Sequence, residues 1–132
     1  MKVLQDIWIL QNSGLVIFHR EFDKVVSPQL FGAMMSALNM FAEQLTEGGL
    51  SNFDLKDTRF TIIKKLKLLF IATSSKKYNQ KKVNKELEKI SSKFIKLYDK
   101  QLEQFSGRLD GFSNFINEIG NSLEKKELEK TY

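Results

Sequence analysis

Two segments near the start of the chain carry the hydrophobic pattern of β-strands. Residues 3–10 end in the unbroken apolar run Ile7-Trp8-Ile9-Leu10, and residues 15–22 are also rich in branched and aromatic side chains. Such residues suit the pleated surface of a sheet. Between the two segments, Asn12-Ser13-Gly14 has the composition of a tight turn. The pattern therefore predicts two strands joined as a hairpin.

Three further strands are predicted in the middle of the chain. Apolar and polar residues alternate in residues 50–55 and 58–63, and residues 66–73 contain the apolar run Leu68-Leu69-Phe70-Ile71-Ala72. This run and residues 7–10 have no polar position, which is typical of strands covered on both faces. We therefore expect both to be interior strands, with helices on each side of the sheet.

The spacing of apolar residues also predicts three helices. The first runs from Pro28 to about Leu45, and Ser27 is expected to cap it through its hydroxyl group. The second begins at Gln80 and ends before Gly107. Its buried stripe is predicted to contain Val83, Leu87, Ile90, Phe94, Leu97, Tyr98 and Phe105. The third is predicted to bury Phe112, Phe115, Ile116, Ile119 and Leu123.

The composition favours one soluble domain in a reducing compartment. The chain has 132 residues, 42% of them hydrophobic, and no Cys. This is enough apolar material for one core, and it argues against a disulfide-stapled secreted domain. The longest apolar runs are far shorter than the ~20 residues that cross a bilayer, so we expect a cytoplasmic protein with at most peripheral membrane contact. Residues 1–120 are predicted to form the domain, and residues 121–132 a charged helical extension or a frayed tail.

The residues that commonly perform catalysis form no recognisable site in the sequence. His19 is the only His, and without Cys a Cys/His metal site cannot be built. Gly48-Gly49 is not part of a phosphate-binding loop, and Lys64-Lys65 is assigned to a turn between strands. Asp54 and Asp57 flank another predicted turn, where carboxylates commonly accept bonds from backbone amides. We therefore predict no enzymatic activity, no cofactor and no metal ion.

The first helix is apolar over more of its circumference than one core requires. At about 100° per residue, its apolar arc covers roughly 220°, where ~100° would suffice. The residues predicted to face the core are Leu30, Met34, Leu38, Phe41 and Leu45. The flanks contain Phe31, Met35 and Ala42 on one side and Ala33, Ala37 and Met40 on the other. The polar strip consists of Gly32, Ser36, Asn39 and Glu43. The flanks are either covered by neighbouring loops or available to a partner.

The second helix carries a basic face opposite its apolar stripe. The lysines of this face fall within an ~80° sector and are Lys82, Lys85, Lys89, Lys93, Lys96 and Lys100. The sequence has sixteen basic and nine acidic residues in positions 61–132, against five and seven in positions 1–60. The face is either an ordinary solvated surface or a site for an anionic membrane or for nucleic acid. Lys greatly outnumbers Arg, which argues against bidentate recognition of bases or phosphates. The aromatic residues of the helix lie on its apolar side, where they cannot stack on bases, so weak attraction to an anionic membrane is favoured.

The order of elements and several short segments resemble the longin domain of membrane-traffic proteins over about residues 3–120. The segments that carry the resemblance are Ile7-Trp8-Ile9-Leu10, Ser13-Gly14-Leu15, Phe18, Ser27-Pro28-Gln29-Leu30, Ala37-Leu38, Phe41-Ala42, Leu69-Phe70-Ile71-Ala72, Phe94, Tyr98 and residues 112–115. All are core and turn positions, so they indicate a fold more than a function. The related roadblock domain begins with a helix, whereas a strand is predicted here from about Val3.

The resemblance implies a longin- or profilin-like α+β fold of order β-β-α-β-β-β-α-α, with a five-stranded antiparallel sheet between one helix on one face and two on the other. It also implies a non-catalytic, protein-binding adaptor or regulatory subunit in membrane trafficking or small-GTPase control. The expected partner is a small GTPase or another longin or roadblock subunit, in a homo- or heterodimer. Because such domains often pair through the first helix and an edge strand, the expected contact residues are Phe31, Met35, Ala42, Phe53 and Leu55. The alternative is a domain that binds nucleic acid or an anionic surface through the six lysines.

Overall fold

The computed structural model describes residues 2–22, 27–103 and 110–124. Along the chain, its elements are β1 (Leu4–Gln11), β2 (Val16–Arg20), α1 (Pro28–Leu45), β3 (Asn52–Leu55), β4 (Thr58–Lys65), β5 (Leu68–Ser75), α2 (Gln80–Glu103) and two 3₁₀ helices, η1 (Asp110–Glu118) and η2 (Gly120–Ser122). This order agrees with the predicted one. The last predicted helix is a 3₁₀ helix rather than an α-helix.

The strands form one antiparallel sheet in the order β2-β1-β5-β4-β3. β1 and β5 occupy the interior, with Ile7 opposite Ala72 and Ile9 opposite Phe70. Every residue of both predicted apolar runs is buried, which confirms that they are interior strands. The two edges of the sheet are β2 and β3.

Each face of the sheet carries its own hydrophobic core. In the larger core, α2 and η1 pack against Leu4, Ile7 and Ile9 of β1. Its other residues include Phe70, Val83, Leu87, Ile90, Phe94, Phe112 and Phe115. On the opposite face, α1 contributes to a smaller cluster that consists of Trp8, Leu10, Val16, Met35, Ile62, Leu69 and Ile71. One helix therefore lies on one face and the remaining helical segments on the other, as expected.

The 3₁₀ form of η1 suits the spacing of its aromatic residues. A 3₁₀ helix has three residues per turn, so positions i and i+3 lie on the same side. Phe112 and Phe115 share that spacing, and both are buried. Ile116 falls on another side and is exposed, contrary to the prediction, whereas Ile119 and Leu123 are buried as predicted. The predicted core residue Phe105 and positions 125–132 of the predicted tail lie outside the described residues.

The ends of α1 and of the β4–β5 hairpin differ from the predictions in two details. Ser27 accepts a bond from the backbone N–H of Phe31 through its own backbone oxygen at 2.9 Å, but its hydroxyl group makes no capping bond. Lys64-Lys65 ends β4, and the turn is formed by Leu66 and Lys67, whose φ angles are 49° and 62°. A two-residue hairpin turn requires this backbone, but its usual residues are Asn and Gly, so Leu66-Lys67 does not indicate this turn from the sequence.

Candidate protein-interaction surface

The face of helix α1 that packs against the sheet is opposite to the predicted face. The five residues expected in the core are exposed, and we name them the α1 ridge: Leu30, Met34, Leu38, Phe41 and Leu45. Among them, Phe41 is 61% exposed and Leu45 is 71% exposed. The buried residues of α1 are Gly32, Met35, Ser36 and Asn39. Three of these four belong to the predicted polar strip, so the predicted core face was wrong.

Close contact between α1 and the β1–β2 turn explains this orientation. A Cβ atom on Gly32 would lie 2.2 Å from the backbone oxygen of Gly14 and 2.5 Å from Cγ2 of Val16, distances that real Cβ contacts essentially never show. Gly14 has a φ of 99°, a left-handed conformation that glycine adopts without steric cost. Because the helix backbone approaches the turn so closely, α1 presents the small residues Gly32 and Ser36 to it.

The buried polar residues of α1 have hydrogen-bond partners, which offset the cost of removing them from water. Ser36 Oγ donates to the backbone oxygen of Asn12 at 2.5 Å. Asn39 Oδ1 accepts from the backbone N–H of Leu50 at 3.3 Å. The first bond ties α1 to the β1–β2 turn and the second ties it to the segment before β3. Ser36 and Asn39 of the polar strip therefore attach α1 to the rest of the domain.

A row of aromatic rings connects α1 with the edge strand β3. Phe31 stacks on Trp8 with ring centroids 4.0 Å apart, and Phe53 stacks on Phe60 at 4.6 Å. The centroids of Phe31 and Phe60 are 6.3 Å apart. Stacked aromatic pairs add to the stability that their buried area provides. The row leaves Phe31 and Phe53 half-buried.

The five residues predicted to bind a partner lie at different depths. Met35 is only 5% exposed and belongs to the core, so its assignment to the surface was wrong. Phe31, Ala42 and Phe53 are half-buried. Leu55 is exposed on β3. The larger apolar surface is the α1 ridge, whose residues were predicted to face the core.

Strand β3 forms an edge of the sheet and pairs along its length with β4 alone within the described part of the chain. Asp54 of β3 forms local ion pairs: its Oδ1 lies 3.3 Å from Nε of Arg59 and its Oδ2 lies 3.6 Å from Nζ of Lys76. The structure thus gives Asp54 charged partners at the surface instead of an acid–base partner. An exposed edge is a template on which another strand can pair.

The six lysines predicted to form the basic face of α2 are all exposed: Lys82, Lys85, Lys89, Lys93, Lys96 and Lys100. Nζ of Lys89 lies 3.4 Å from Oε2 of Glu86, and Nζ of Lys93 donates to the backbone oxygen of Glu118 at 3.1 Å. The other four form no ion pair with a described residue. Leu97, predicted to be buried, is 48% exposed on the same helix.

A pocket of about 370 Å³ lies between the start of α1 and the β3–β4 turn, and its lining includes aromatic residues and Asp6. Burial raises the pKa of the Asp6 carboxyl above its ordinary value, although bonds from the Thr73 hydroxyl at 2.6 Å and the Phe22 N–H at 2.5 Å oppose that shift. Glu21 is a second carboxylate among the described lining residues, which include no His or Lys. His19 lies on β2, with Nδ1 3.1 Å from the Glu21 carboxylate.

Asp6 was not among the predicted functional residues, although a charged residue directly before an apolar strand run is the signal that could have identified it. In residues 2–22, 27–103 and 110–124, no helix is long and apolar enough to cross a membrane. Within those same ranges, no group of three or more acidic or His side chains could hold a metal ion.

Comparison with known proteins identifies a family for the chain. The model described as the first longin domain of FUZ, MON1 and HPS1 matches residues 5–114. MglB of Myxococcus xanthus has a similar structure, with a TM-score of 0.60 and 10% sequence identity over 74% of this chain and 85% of MglB. A Roadblock/LC7 domain from Streptomyces avermitilis has a TM-score of 0.59 and 14% identity over 73% and 85% of the two chains. No curated protein matches significantly.

The two structural similarities establish a common fold, since sequence identity is low in both. They confirm the five-stranded, longin- and roadblock-like architecture that the sequence predicted. The family match supports more than a common fold, because the matched residues extend from β1 into η1 and so include α1, the sheet and α2. It implies a regulatory role exerted through protein–protein interaction. The chain therefore belongs to the longin-domain family that the first longin domains of FUZ, MON1 and HPS1 define.

Proposed function

We propose that the chain is a non-catalytic interaction module that pairs with a second longin or roadblock domain through the α1 ridge and β3. The observation that carries this proposal is the exposure of five large apolar side chains along one side of one helix. Contiguous apolar surfaces of this kind mark protein-binding sites. Membership of the longin family supports a regulatory subunit in small-GTPase control or membrane trafficking, acting in the cytoplasm.

The spacing of the α1 ridge suits a second helix. Successive ridge residues are four, four, three and four positions apart, so they form a continuous row along one side of α1. Rows with this spacing pack into the grooves of a neighbouring helix. Met34 lies within the row and Met40 beside it, and the flexible thioether side chain of Met adapts to the shape of a partner.

Strand β3 offers the same partner a second attachment. In a pair with twofold symmetry, the same patch is used on both subunits, so α1 would meet α1 and β3 would meet β3. The backbone groups on the open side of β3 would then bond across the interface, as in other complexes formed by strand addition. Burial of each large ridge side chain would contribute about 1.5–3 kcal/mol. Leu55 would become buried at the same time.

Sedimentation equilibrium tests self-pairing directly. We expect the native chain to dimerise with increasing concentration and Phe41→Glu to weaken the dimer by about tenfold or more, because a carboxylate is costly to bury. Gln44→Glu is the matched control, since it adds the same charge to an exposed position of α1 outside the ridge. A native chain that remains monomeric at high concentration would exclude the homodimer.

Affinity capture tests a heteromeric pair. The native chain, Phe41→Glu and Gln44→Glu would serve as baits, and mass spectrometry would identify longin subunits, roadblock subunits and small GTPases among the bound proteins. We expect these proteins with the native chain and with Gln44→Glu, and their loss with Phe41→Glu. Equal recovery with both variants would contradict the role of the α1 ridge. Recovery of no protein from the three classes would contradict the partner class.

A second candidate function rests on the six lysines of α2, five of which form no ion pair with a described residue. These lysines point away from the sheet on the face opposite to the α1 ridge, so the chain could bind a protein and an anionic membrane together. A lysine near such a membrane contributes about 1 kcal/mol of attraction. The attraction would be peripheral, because the helix face is charged and contains no inserted apolar row.

Vesicle co-sedimentation tests this second function. We expect binding to vesicles that contain phosphatidylserine, no binding to vesicles of phosphatidylcholine alone, and loss of binding in Lys85→Glu with Lys96→Glu. Lys56→Glu with Lys76→Glu, at two exposed positions outside α2, makes the same change in net charge and is the control. Equal binding to both kinds of vesicle would contradict the proposal. Steeply salt-dependent binding to DNA or RNA would favour the nucleic-acid alternative.

A further inference from the structure

The two edges of the sheet differ in how their backbone groups are satisfied. At the β2 edge, the side chain of Gln29, in the first turn of α1, bonds the backbone of Val16 in both directions. Oε1 of Gln29 accepts from the Val16 N–H at 3.0 Å, and Nε2 donates to the Val16 oxygen at 3.0 Å. Residues directly opposite each other in an antiparallel pair exchange two bonds in the same way. The Gln29 carboxamide therefore occupies the position of a peptide group from a neighbouring strand.

The remainder of the β2 edge adjoins a groove with room for a strand. This groove has a volume of about 420 Å³ and follows β2 from Val16 to Arg20. Gln29 lies on one side of it, and Ser113 and Ile116 of η1 lie on the other. Space is therefore available beside β2, and the Gln29 carboxamide blocks its first pairing position.

The strand itself is irregular at the capped position. Val16 lies opposite Leu10 and Phe18 lies opposite Ile9, so Ile17 is an extra residue in β2. A bulge of this kind interrupts the regular ladder, and sheet edges commonly use bulges to resist pairing with other chains. Within the described residues, β3 pairs with β4 without such an irregularity. The two protective features thus occur together on one edge.

We propose that Gln29 caps β2 and so restricts strand pairing between copies of this chain to β3. The strand that would occupy the uncapped β2 edge is β3 of a second copy. This inference rests on the proposed function, in which β3 is a pairing edge. Pairing of β3 with β3 closes at a dimer, whereas pairing of β3 with β2 leaves a free edge at each end and continues to grow. A cap on β2 therefore keeps self-association finite.

Three variants test the cap through the mass of the assemblies. Gln29→Ala removes the carboxamide and is expected to form assemblies that grow beyond two copies as concentration rises, measured by light scattering after size exclusion. Gln29→Glu is the matched control: a carboxylate cannot donate to the Val16 oxygen, but its charge still discourages strand addition. We therefore expect it to assemble no further than the native chain. Gln29→Ala with Leu55→Lys, which places a charge on β3, should return to the native mass.

The outcomes separate this inference from the proposed function. If the assemblies of Gln29→Ala had the same mass as those of the native chain at every concentration, the cap would be overturned, whether the native chain is a monomer or a dimer. Growth that persists in the double variant with Leu55→Lys would overturn β3 as the occupant. A native chain that stays monomeric, together with growth of Gln29→Ala that Leu55→Lys suppresses, would contradict the proposed dimer through α1 and β3 and support the cap. Unfolding curves of Gln29→Ala and Gln29→Glu establish that both variants are folded.

Discussion

Helices α1 and α2 lie on opposite faces of the same sheet, but they are held there by different interactions. α2 buries a stripe of large apolar side chains and exposes lysines. α1 buries Gly32, Ser36 and Asn39 together with one large residue, Met35, and exposes its apolar ridge. α2 has the ordinary arrangement, and its large apolar side chains are packed within the domain. The inverted helix is held by close approach and hydrogen bonds, which leaves most of its apolar side chains available.

The comparison indicates why an inverted helix suits an interaction module. A helix fixed by its apolar stripe has little apolar surface left for a partner. α1 is fixed instead by the fit of Gly32 against the β1–β2 turn and by the bonds of Ser36 and Asn39. The residues of the α1 ridge therefore contribute little to the stability of the domain and can contribute to binding. This separation allows the ridge to be tested without unfolding the protein.

The largest contrast is expected between one Phe on each helix. Phe94 of α2 is fully buried and contacts the rings of Phe70, Phe112 and Phe115. Phe94→Ala should lower the free energy of unfolding by about 3–5 kcal/mol, because it removes apolar contacts and leaves a cavity. Phe41→Ala on α1 should change it by less than about 0.5 kcal/mol, as is usual for exposed positions. Urea unfolding of both variants measures the difference.

These measurements require a protein concentration at which the chain is monomeric, because pairing through the α1 ridge would add to the apparent stability. Equal losses for Phe94→Ala and Phe41→Ala under that condition would show that the ridge is part of the folded core, and the comparison between the helices would fail.

The second contrast concerns the close approach of α1 to the sheet. Gly32→Ala is expected to lower the free energy of unfolding by about 1–3 kcal/mol, because the added methyl group overlaps the Gly14 backbone oxygen and has no flexible neighbour to displace there. Gly120→Ala is the control, since a Cβ at that position meets nothing within 4 Å. Thermal unfolding compares the two. A stable Gly32→Ala protein would mean that α1 can move away from the turn at little cost.

The sequence predicted the sheet better than the orientation of α1, and the reason is physical. The two unbroken apolar runs left only interior positions for β1 and β5, because a strand with no polar residue has no face suited to water. In α1 the apolar arc was so wide that hydrophobicity did not define one inward face. The helical wheel then favoured the largest residues, such as Phe41, whereas the backbone approach favoured the smallest, Gly32.

The missed signal for α1 lay in residues far apart in sequence. Gly32, Ser36 and Asn39 are small or polar residues at helical spacing, and Gly14 is a second glycine that lies in the facing turn. Their contact depends on the tertiary fold, so no local window of the sequence contains it. The pairing of Gln29 with Val16 has the same character. The basic face of α2 was predictable because it depends on the helical period alone.

The smallest contrast concerns Glu86, a charged residue that α2 buries. Burial by itself would raise the pKa of this carboxyl, but bonds from the Ser122 hydroxyl at 2.8 Å and from Lys89 at 3.4 Å favour the ionised form, and the pKa is lowered from its ordinary 4.5. A lowered folded-state pKa means that the unfolded chain binds the proton more tightly. The resulting stabilisation is present above about pH 4.5 and is lost as the pH falls through the folded-state pKa.

Glu86→Gln tests this dependence, because glutamine has nearly the same shape and does not ionise. Urea midpoints measured between neutral and acid pH should fall more steeply with acidification for the native chain than for Glu86→Gln. Glu103→Gln, at an exposed position near the end of α2, should retain the native slope. If Glu86→Gln also retained it, the buried carboxylate would not contribute to acid sensitivity. The stability of the ordinary helix would then rest on apolar packing alone, which would make its contrast with the polar, closely packed α1 sharper still.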